Sequence, residues 1–390
     1  MGIKKGNMFV QSHLKEELKH LRDLKNQYIG IDFCGMLHRF IRDNMDIPNN
    51  YILQLINIIE KFKSFGAIPI FVIDGNYVIE KSNKLKISRL RAKEKLQNLQ
   101  SLSCEFNIEI DFDKEKKLKN KSSSITKEHI RKCKEIFSNL DCICIHIYNY
   151  EADTILALLS KLNIIEYVYS EDFDMFLYRD INYILQGLDY IANTFKVYSK
   201  QKLLKSLNIT SDHLIDIAIL TGTDYNCGLY KSTLQTNLDL IRVYKTIENI
   251  IANIILINDD RKEKCKILLP TYNFNYDYVR QMFTLKNIDI SIYNTIIAMT
   301  DSYTKTLIPE KKNTLSNFFK VKNVLDIIQN NISQDSYIIK KYSEKVISYC
   351  HLHFGIAINI NDDYDYDNYD YDDYDYDDYD YDDYNYYDYD

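Results

Sequence analysis

The sequence predicts an α/β protein with a parallel sheet flanked by helices, and three observations predict it. Short apolar runs at 28–32, 68–73, 142–147 and 167–169 read as buried strands. Continuously apolar strands of this kind belong to sheets covered on both faces. Stretches with helical spacing separate these runs, the alternation expected of a parallel sheet. The third observation is that the runs end alike. Tyr28-Ile-Gly-Ile closes on Asp32, Ile68-Pro-Ile-Phe-Val-Ile on Asp74, and Tyr167-Val-Tyr on Ser170-Glu171-Asp172-Phe173-Asp174. In open parallel sheets, ligands bind at the carboxyl ends of the strands.

Taken in order, Leu14, Leu18, Leu21 and Leu24 lie at helical spacing and predict a helix over 13–25. After the strand at 28–32, a helix carries His38 and Arg39, and another spans about 49–65. Between 80 and 135 the chain turns basic, with Lys81, Lys84, Arg89 and Arg91 early in a run of lysines and arginines around a polar centre at 119–126. Such a segment is either a solvated insertion or a helical cover over the strand ends that grips phosphates. In the 142–147 run, Cys142 and Cys144 alternate onto one face, which favours packing over metal binding. Tyr150-Glu151-Ala152-Asp153 opens a helix over 154–162, where acids in the first turn also suit the helix dipole. A helix over 211–221, with Ser211 as N-cap, runs into Thr221-Gly222-Thr223-Asp224-Tyr225. The region 232–355 reads as mainly helical.

At 390 residues, with 46% hydrophobic side chains, the chain supports a large core. No apolar run approaches the roughly 20 residues that span a bilayer. The start, MGIKKGN, lacks a signal peptide's apolar centre, and Gly6 stands where a myristoylation motif has Ser or Thr. The eight cysteines show no CxxC pair or zinc spacing, so reduced thiols are expected. The net charge of −7 conceals an uneven distribution. Residues 361–390 hold 15 of the 56 acidic side chains and no Lys or Arg, leaving 49 basic against 41 acidic elsewhere, a body of +8. A basic body suits a polyanionic partner.

Seven carboxylates recur at strand ends or helix starts: Asp32, Asp74, Glu151, Asp153, Asp172, Asp174 and Asp224. Gathered in one cleft, they would repel one another unless cations sat between them. Mg²⁺ or Mn²⁺ favour such oxygen ligands, and two ions about 4 Å apart can activate water and stabilise a leaving oxygen in phosphodiester hydrolysis. No histidine pattern suggests zinc or a nucleophile triad.

The motifs then resemble, in order over residues 1–250, those of the flap endonuclease/XPG family of structure-specific 5′ nucleases. MGIKKGN is similar to the family's MGIKGL start. IGIDFCGMLHRF resembles its first acidic motif, most closely in the exonuclease branch, and VIDGN resembles VFDG. YEAD resembles EAEA, SEDFD resembles TEDMD or SEDSD, and LTGTDY resembles LLGSDY. The resemblance implies a PIN-like parallel sheet with a basic helical cover at about 80–135 and a helix-two-turn-helix-like element at about 211–250. It also implies a mainly helical region at 251–360 and a Tyr/Asp-rich tail beyond. All seven acids match metal-binding positions, implying two Mg²⁺, with Mn²⁺ as a substitute. Gly2 matches a glycine near the active site, Lys81 a lysine on the scissile phosphate, and His38 a residue that stacks on the terminal base pair. Arg39, Lys84, Arg89, Arg91, Gly228 and Lys231 complete the implied DNA contacts, with Arg89 or Arg91 standing in for a family arginine that would fall on Ser88. The composition, rich in Asn, Ile, Lys and Tyr, further resembles the branch of large DNA viruses, poxviruses included. That origin implies the host cytoplasm, and otherwise the nucleus.

The resemblance has gaps. The family's Gly-x-Gly hairpin, which holds duplex through potassium, is here Cys227-Gly228-Leu-Tyr-Lys231-Ser232-Thr233, so direct phosphate contacts from 231–233 are the alternative. Leu315, Phe318 and Phe319 resemble a sliding-clamp peptide in which Lys312 replaces the glutamine; a buried amphipathic segment is the other reading. The tail either competes with DNA for the basic body or is a solubilising repeat, the latter favoured. The expected activity is Mg²⁺-dependent 5′–3′ exonuclease or flap endonuclease action on flaps, nicks or ends in replication, recombination and repair. The alternatives are a DNA-binding scaffold on the same fold and an RNA-directed PIN-like nuclease.

Overall fold

The computed structural model describes Ile3, residues 5–43, 50–75, 79–106 and 111–259, and shorter stretches from there to 299. The clamp-like segment and the tail lie outside the described residues, as does Gly2.

Among the described residues, seven strands form one mixed sheet in the order β1-β7-β6-β5-β2-β3-β4. They are β1 (Glu17–His20), β2 (Tyr28–Asp32), β3 (Ile68–Ile73), β4 (Ile143–His146), β5 (Tyr167–Tyr169), β6 (Tyr183–Asp189) and β7 (Thr194–Ser199). From β6 to β4 the neighbouring strands run parallel; β7 is antiparallel to β6, and β1 to β7. The chain passes from β2 outward to β3 and β4, then returns to β5 on the other side of β2. The order therefore reverses between β2 and β5, and at such a point the loops diverge and leave a crevice.

Side-chain alternation gives the central strands β2, β3 and β5 two buried faces. Ile70, Val72 and Val168 enter one core with α7 (Ala152–Lys161) and α9 (Ser211–Thr221). Ile29, Ile31, Phe71 and Ile73 enter the other with α2 (Phe33–Asp43), α3 (Asn50–Ser64) and α6 (Lys127–Asn139). The remaining helices are α1 (Gly6–His13), α4 (Ile79–Phe106), α5 (Phe112–Ser122), α8 (Lys200–Leu207), α10 (Leu234–Tyr244), α11 (Ile247–Ala252), α12 (Ile254–Asp259) and α13 (Tyr276–Phe283).

The leucines at 14–24 do not form the expected helix. Glu17–His20 is a strand on β7, and Leu21–Leu24 is a 3-10 turn that buries Leu21 and Leu24. Edge pairing supplies hydrogen bonds that a four-residue amphipathic stretch could not gain alone, and it leaves Leu18 exposed. The N-cap of α9 is Thr210, not Ser211; its side chain accepts the His213 N–H while the His213 ring accepts the Thr210 N–H. The 142–147 run is one of the sheet's two edge strands, and Cys144 is only half-buried. The β6–β7 hairpin had no sequence-level prediction. Its turn is set by Asp189, whose Oδ1 accepts the Ile191 and Ala192 N–H groups, and by Asn193 at φ 53°.

Candidate active site

Asp32 is the last residue of β2, and its carboxylate is buried at the reversal point. Oδ1 accepts the Gly35 N–H at 3.0 Å, and Oδ2 accepts the Ser170 hydroxyl at 3.1 Å. Ser170 follows β5, so this second bond ties the two strands across the crevice. The Ser170 Oγ also accepts the Asp172 N–H at 3.2 Å, fixing the turn that carries Asp172 and Asp174. Burial pushes the Asp32 carboxyl up to about 7, with Asp74 and then Asp172 adding like-charge repulsion and the Gly35 and Ser170 bonds opposing it. Three acids from three adjacent strand ends therefore sense one another.

Asp74 follows β3 and reaches across to α7, where its Oδ1 accepts the Ala152 N–H at 2.7 Å. A carboxylate is well placed at a helix N-terminus, where backbone donors point outward. That bond sets Asp74 beside Glu151 and Asp153, which flank Ala152. Glu151 is the N-cap residue of α7, yet its side chain makes no capping bond. Its Oε2 accepts the Tyr225 hydroxyl at 2.5 Å instead. Asp224 directly precedes Tyr225 in the turn after α9. Asp153 is buried in the first turn of α7, and Asp174 in the 3-10 turn Phe173–Phe176.

The fold thus places Asp32, Asp74 and Asp172 at the carboxyl ends of three adjacent strands, with Glu151 and Asp153 flanking the Ala152 N–H that Asp74 accepts. Among the described residues, however, no three His, Cys, Asp or Glu side chains close into a set that could already hold a metal ion. Asp32 accepts from Gly35 and Ser170, Asp74 from Ala152, and Glu151 from Tyr225. The donor set fits a hard divalent cation, because it is all carboxylate oxygen and its like charges already raise Asp32. Glu171 does not join it. Its carboxylate accepts from Arg39 at 3.3 Å, Tyr169 at 3.1 Å and the Gly187 N–H at 3.0 Å.

The expected DNA-contact residues are distributed more widely. His38 lies half-buried in α2, its ring hydrogen-bonded to the Ser123 main chain, with Arg42 and Arg89 nearby. Burial, then those two arginines, lowers it to about 4. Ser123 follows α5 and Arg89 belongs to α4, so parts of the basic segment lie against His38 of α2. Arg91 is exposed on α4, while the side chains of Lys81 and Lys84 on the same helix lie outside the described residues. Arg39 is turned to Glu171. Lys231 is exposed at φ 59° in the turn before α10. Gly228 packs backbone on backbone: a Cβ there would meet the Thr221 carbonyl carbon at 2.3 Å and the Gly222 N at 2.4 Å. Its glycine identity closes the helical hairpin.

Sequence reasoning gave no role to Gly35, Ser170 or Tyr225. A glycine inside a helix is unfavourable without a local reason. Here a Cβ at Gly35 would meet Asp32 Oδ2 at 2.6 Å, so a glycine three residues after the acid was a readable signal. Tyr225 follows Asp224 directly, but its reach to Glu151, 74 residues away, exists only in the folded chain.

Family comparison matches the XPG N-terminal domain over residues 1–95 and the XPG I-region over residues 143–224. The flap endonuclease 1 of Sulfolobus acidocaldarius is 28% identical over 303 residues, covering 70% of this chain and 80% of that protein. The exodeoxyribonuclease 1 of Saccharomyces cerevisiae is 26% identical over 298 residues, 72% of this chain and 40% of that protein. Among solved structures, the catalytic core of Rad2 superposes with a TM-score of 0.54 at 18% identity, over 82% of this chain and 98% of that one. The Holliday junction-resolving enzyme GEN1, in complex with product DNA and Mg²⁺, gives 0.55 at 12% identity, over 84% and 73%. These superpositions support the same fold.

Proposed function

The chain belongs to the flap endonuclease/XPG family of structure-specific nucleases, and from that premise we propose that it is a 5′ nuclease hydrolysing DNA phosphodiesters at flaps, nicks or ends with two divalent ions. The observation that carries this reading is the Asp32–Ser170 bond across the strand reversal. It holds Asp32 where the charges of Asp74 and Asp172 both raise the energy of its own. Glu151, Asp153, Asp174 and Asp224 complete the ligand set, and Mg²⁺ is the favoured ion, with Mn²⁺ able to replace it. When bound, the ions supply a nucleophilic water and charge stabilisation for the leaving oxygen.

The protein's own groups do the remaining work. Gly35 and Ser170 orient the Asp32 carboxylate, the α7 N-terminus orients Asp74, and Tyr225 orients Glu151. The basic side chains of α4 to α6 hold the phosphate backbone above the acids, with Lys81, Lys84, Arg89 and Arg91 nearest the start of α4. Phosphate contacts carry little sequence information, so geometry selects the substrate. His38 stacks on the terminal base pair, and Gly228 and Lys231 contact the duplex from the helical hairpin. Replication, recombination and repair are the processes such an activity serves.

The test is product-length analysis on 5′-flap, gapped and blunt duplex DNA, with and without Mg²⁺. Asp172→Ala should abolish cleavage while leaving DNA affinity within about threefold. Equal loss of binding would make Asp172 structural, and cleavage without divalent ions would sink the two-ion reading. An RNA flap run alongside decides between DNA and RNA.

A further inference from the structure

The pairing of β5 with β6 ends at Tyr169↔Leu185, and the Ser170 N–H adds one main-chain bond to the Leu185 carbonyl at 3.2 Å. Glu171 lies beyond that ladder, so its half-buried carbonyl needs a donor from elsewhere. Asn7 supplies it from the first turn of α1, 164 residues away: Nδ2 donates to the Glu171 carbonyl at 2.8 Å. A carbonyl can only accept, which sets the orientation of the amide and turns Oδ1 the other way. There Oδ1 accepts from Nε2 of Gln186, buried on β6, at 3.4 Å. Asn7 thereby bridges β6 and the residue immediately before Asp172.

A second fit seats the same helix on the same turn. Gly6 is buried, and a Cβ there would meet Cγ of Phe173 at 2.4 Å and Cβ of Phe173 at 2.7 Å. Glycine permits this approach, and Phe9, Val10 and Phe173 share one core. The start of α1 therefore meets the turn on both sides of Asp172, at Glu171 through Asn7 and at Phe173 through Gly6. The Glu171 carboxylate is anchored separately, by the Gly187 N–H, Tyr169 and Arg39, so Asn7 acts on the main chain. We propose that Asn7 is a positioning residue that holds the Glu171 main chain and so fixes where Asp172 and Asp174 stand for divalent-ion binding. The inference rests on the two-ion reading above and deepens it, because it names the contact that aligns two of the ligands. Partners behind metal ligands typically contribute about 10–100-fold in metal affinity or activity.

The test uses the full chain and Mn²⁺ alone as probe, with free Mn²⁺ followed by EPR in the absence of DNA. Asn7→Leu, which keeps the bulk and removes the donor, should bind Mn²⁺ about 10-fold or more weakly. Asn7→Ala carries the same test if the leucine upsets folding. Gln186→Leu keeps the donor but frees the other end of the amide, and should lose less. The Mg²⁺ midpoint of flap cleavage should rise with each loss. Val10→Ala, a core truncation in the same helix that leaves the Asn7 amide in place, is the control. It should lower the melting temperature and leave Mn²⁺ affinity unchanged. Wild-type Mn²⁺ binding in Asn7→Leu would overturn the proposal. So would a Val10→Ala variant that loses as much Mn²⁺ affinity for an equal fall in melting temperature, since stability alone would then explain both. If the wild-type chain binds no Mn²⁺, the two-ion reading fails first and the positioning role falls with it.

Discussion

Gly35→Ala separates the geometry of the acids from the stability of the fold. Gly35 sits in the first turn of α2, and its N–H holds Asp32 Oδ1 at 3.0 Å. The added methyl would lie 2.6 Å from Oδ2 and 3.2 Å from the carboxyl carbon. An ordinary carbon–oxygen contact is roughly 3.4 Å, so the carboxylate must move by something under about 1 Å, or rotate away from Ser170. Helix propensity acts in the opposite direction, since Ala is favoured over Gly in a helix by roughly 0.5–1 kcal/mol. The variant should therefore melt within a few degrees of wild type, in either direction. Its catalysis should nevertheless fall, because a misplacement of about 1 Å at a reacting centre can reduce the rate by about 10²-fold. Single-turnover cleavage of a 5′-flap duplex at saturating Mg²⁺ should show a loss of about 10- to 100-fold, with DNA binding preserved. Cleavage within twofold of wild type, at an unchanged Mg²⁺ midpoint, would refute the placement of Asp32 at the reacting centre.

Two further outcomes follow from single contacts. Tyr225→Phe removes the donor to a buried Glu151 oxygen, a loss of about 1–3 kcal/mol that should appear as a comparable fall in kcat/KM and in thermal stability; an unchanged rate would detach Tyr225 from the site. Lys200 is buried with its Nζ 2.6 Å from the Tyr178 carbonyl, and burial lowers it to about 8. Its unfolded pKa is the higher one, so the unfolded chain binds more protons between about pH 8 and 10.5, and this residue's contribution to stability rises with pH through that window. Denaturant melts of wild type and Lys200→Met should diverge there by up to about 3 kcal/mol, and parallel pH profiles would refute the shift.

Much of the candidate site was legible without coordinates because its signals are local. An apolar run that ends in an acid names both a strand and a side chain at its carboxyl end. Asp32, Asp74, Asp172 and Asp174 were readable this way, and Glu151 and Asp153 from the start of α7. The basic run at 80–135 was equally plain as composition, although its division into α4, α5 and α6 was not. The leucines at 14–24 misled because a period of three or four in so short a stretch does not exclude a strand that borrows its hydrogen bonds from β7.

By itself, the sequence determined which residues carry charge, which runs are buried on both faces, and the order in which acids meet strand ends. Those properties belong to the residue and its immediate neighbours, so the linear chain expresses them fully. Only the tertiary structure decided that β2 lies between β3 and β5, and hence that Asp32 sits between Asp74 and Asp172. It alone turned Glu171 outward to Arg39, and it alone brought Tyr225 to Glu151. Each of these is a contact between segments distant in sequence. Sheet order and helix packing settle such contacts through the burial of whole faces, which no local pattern records.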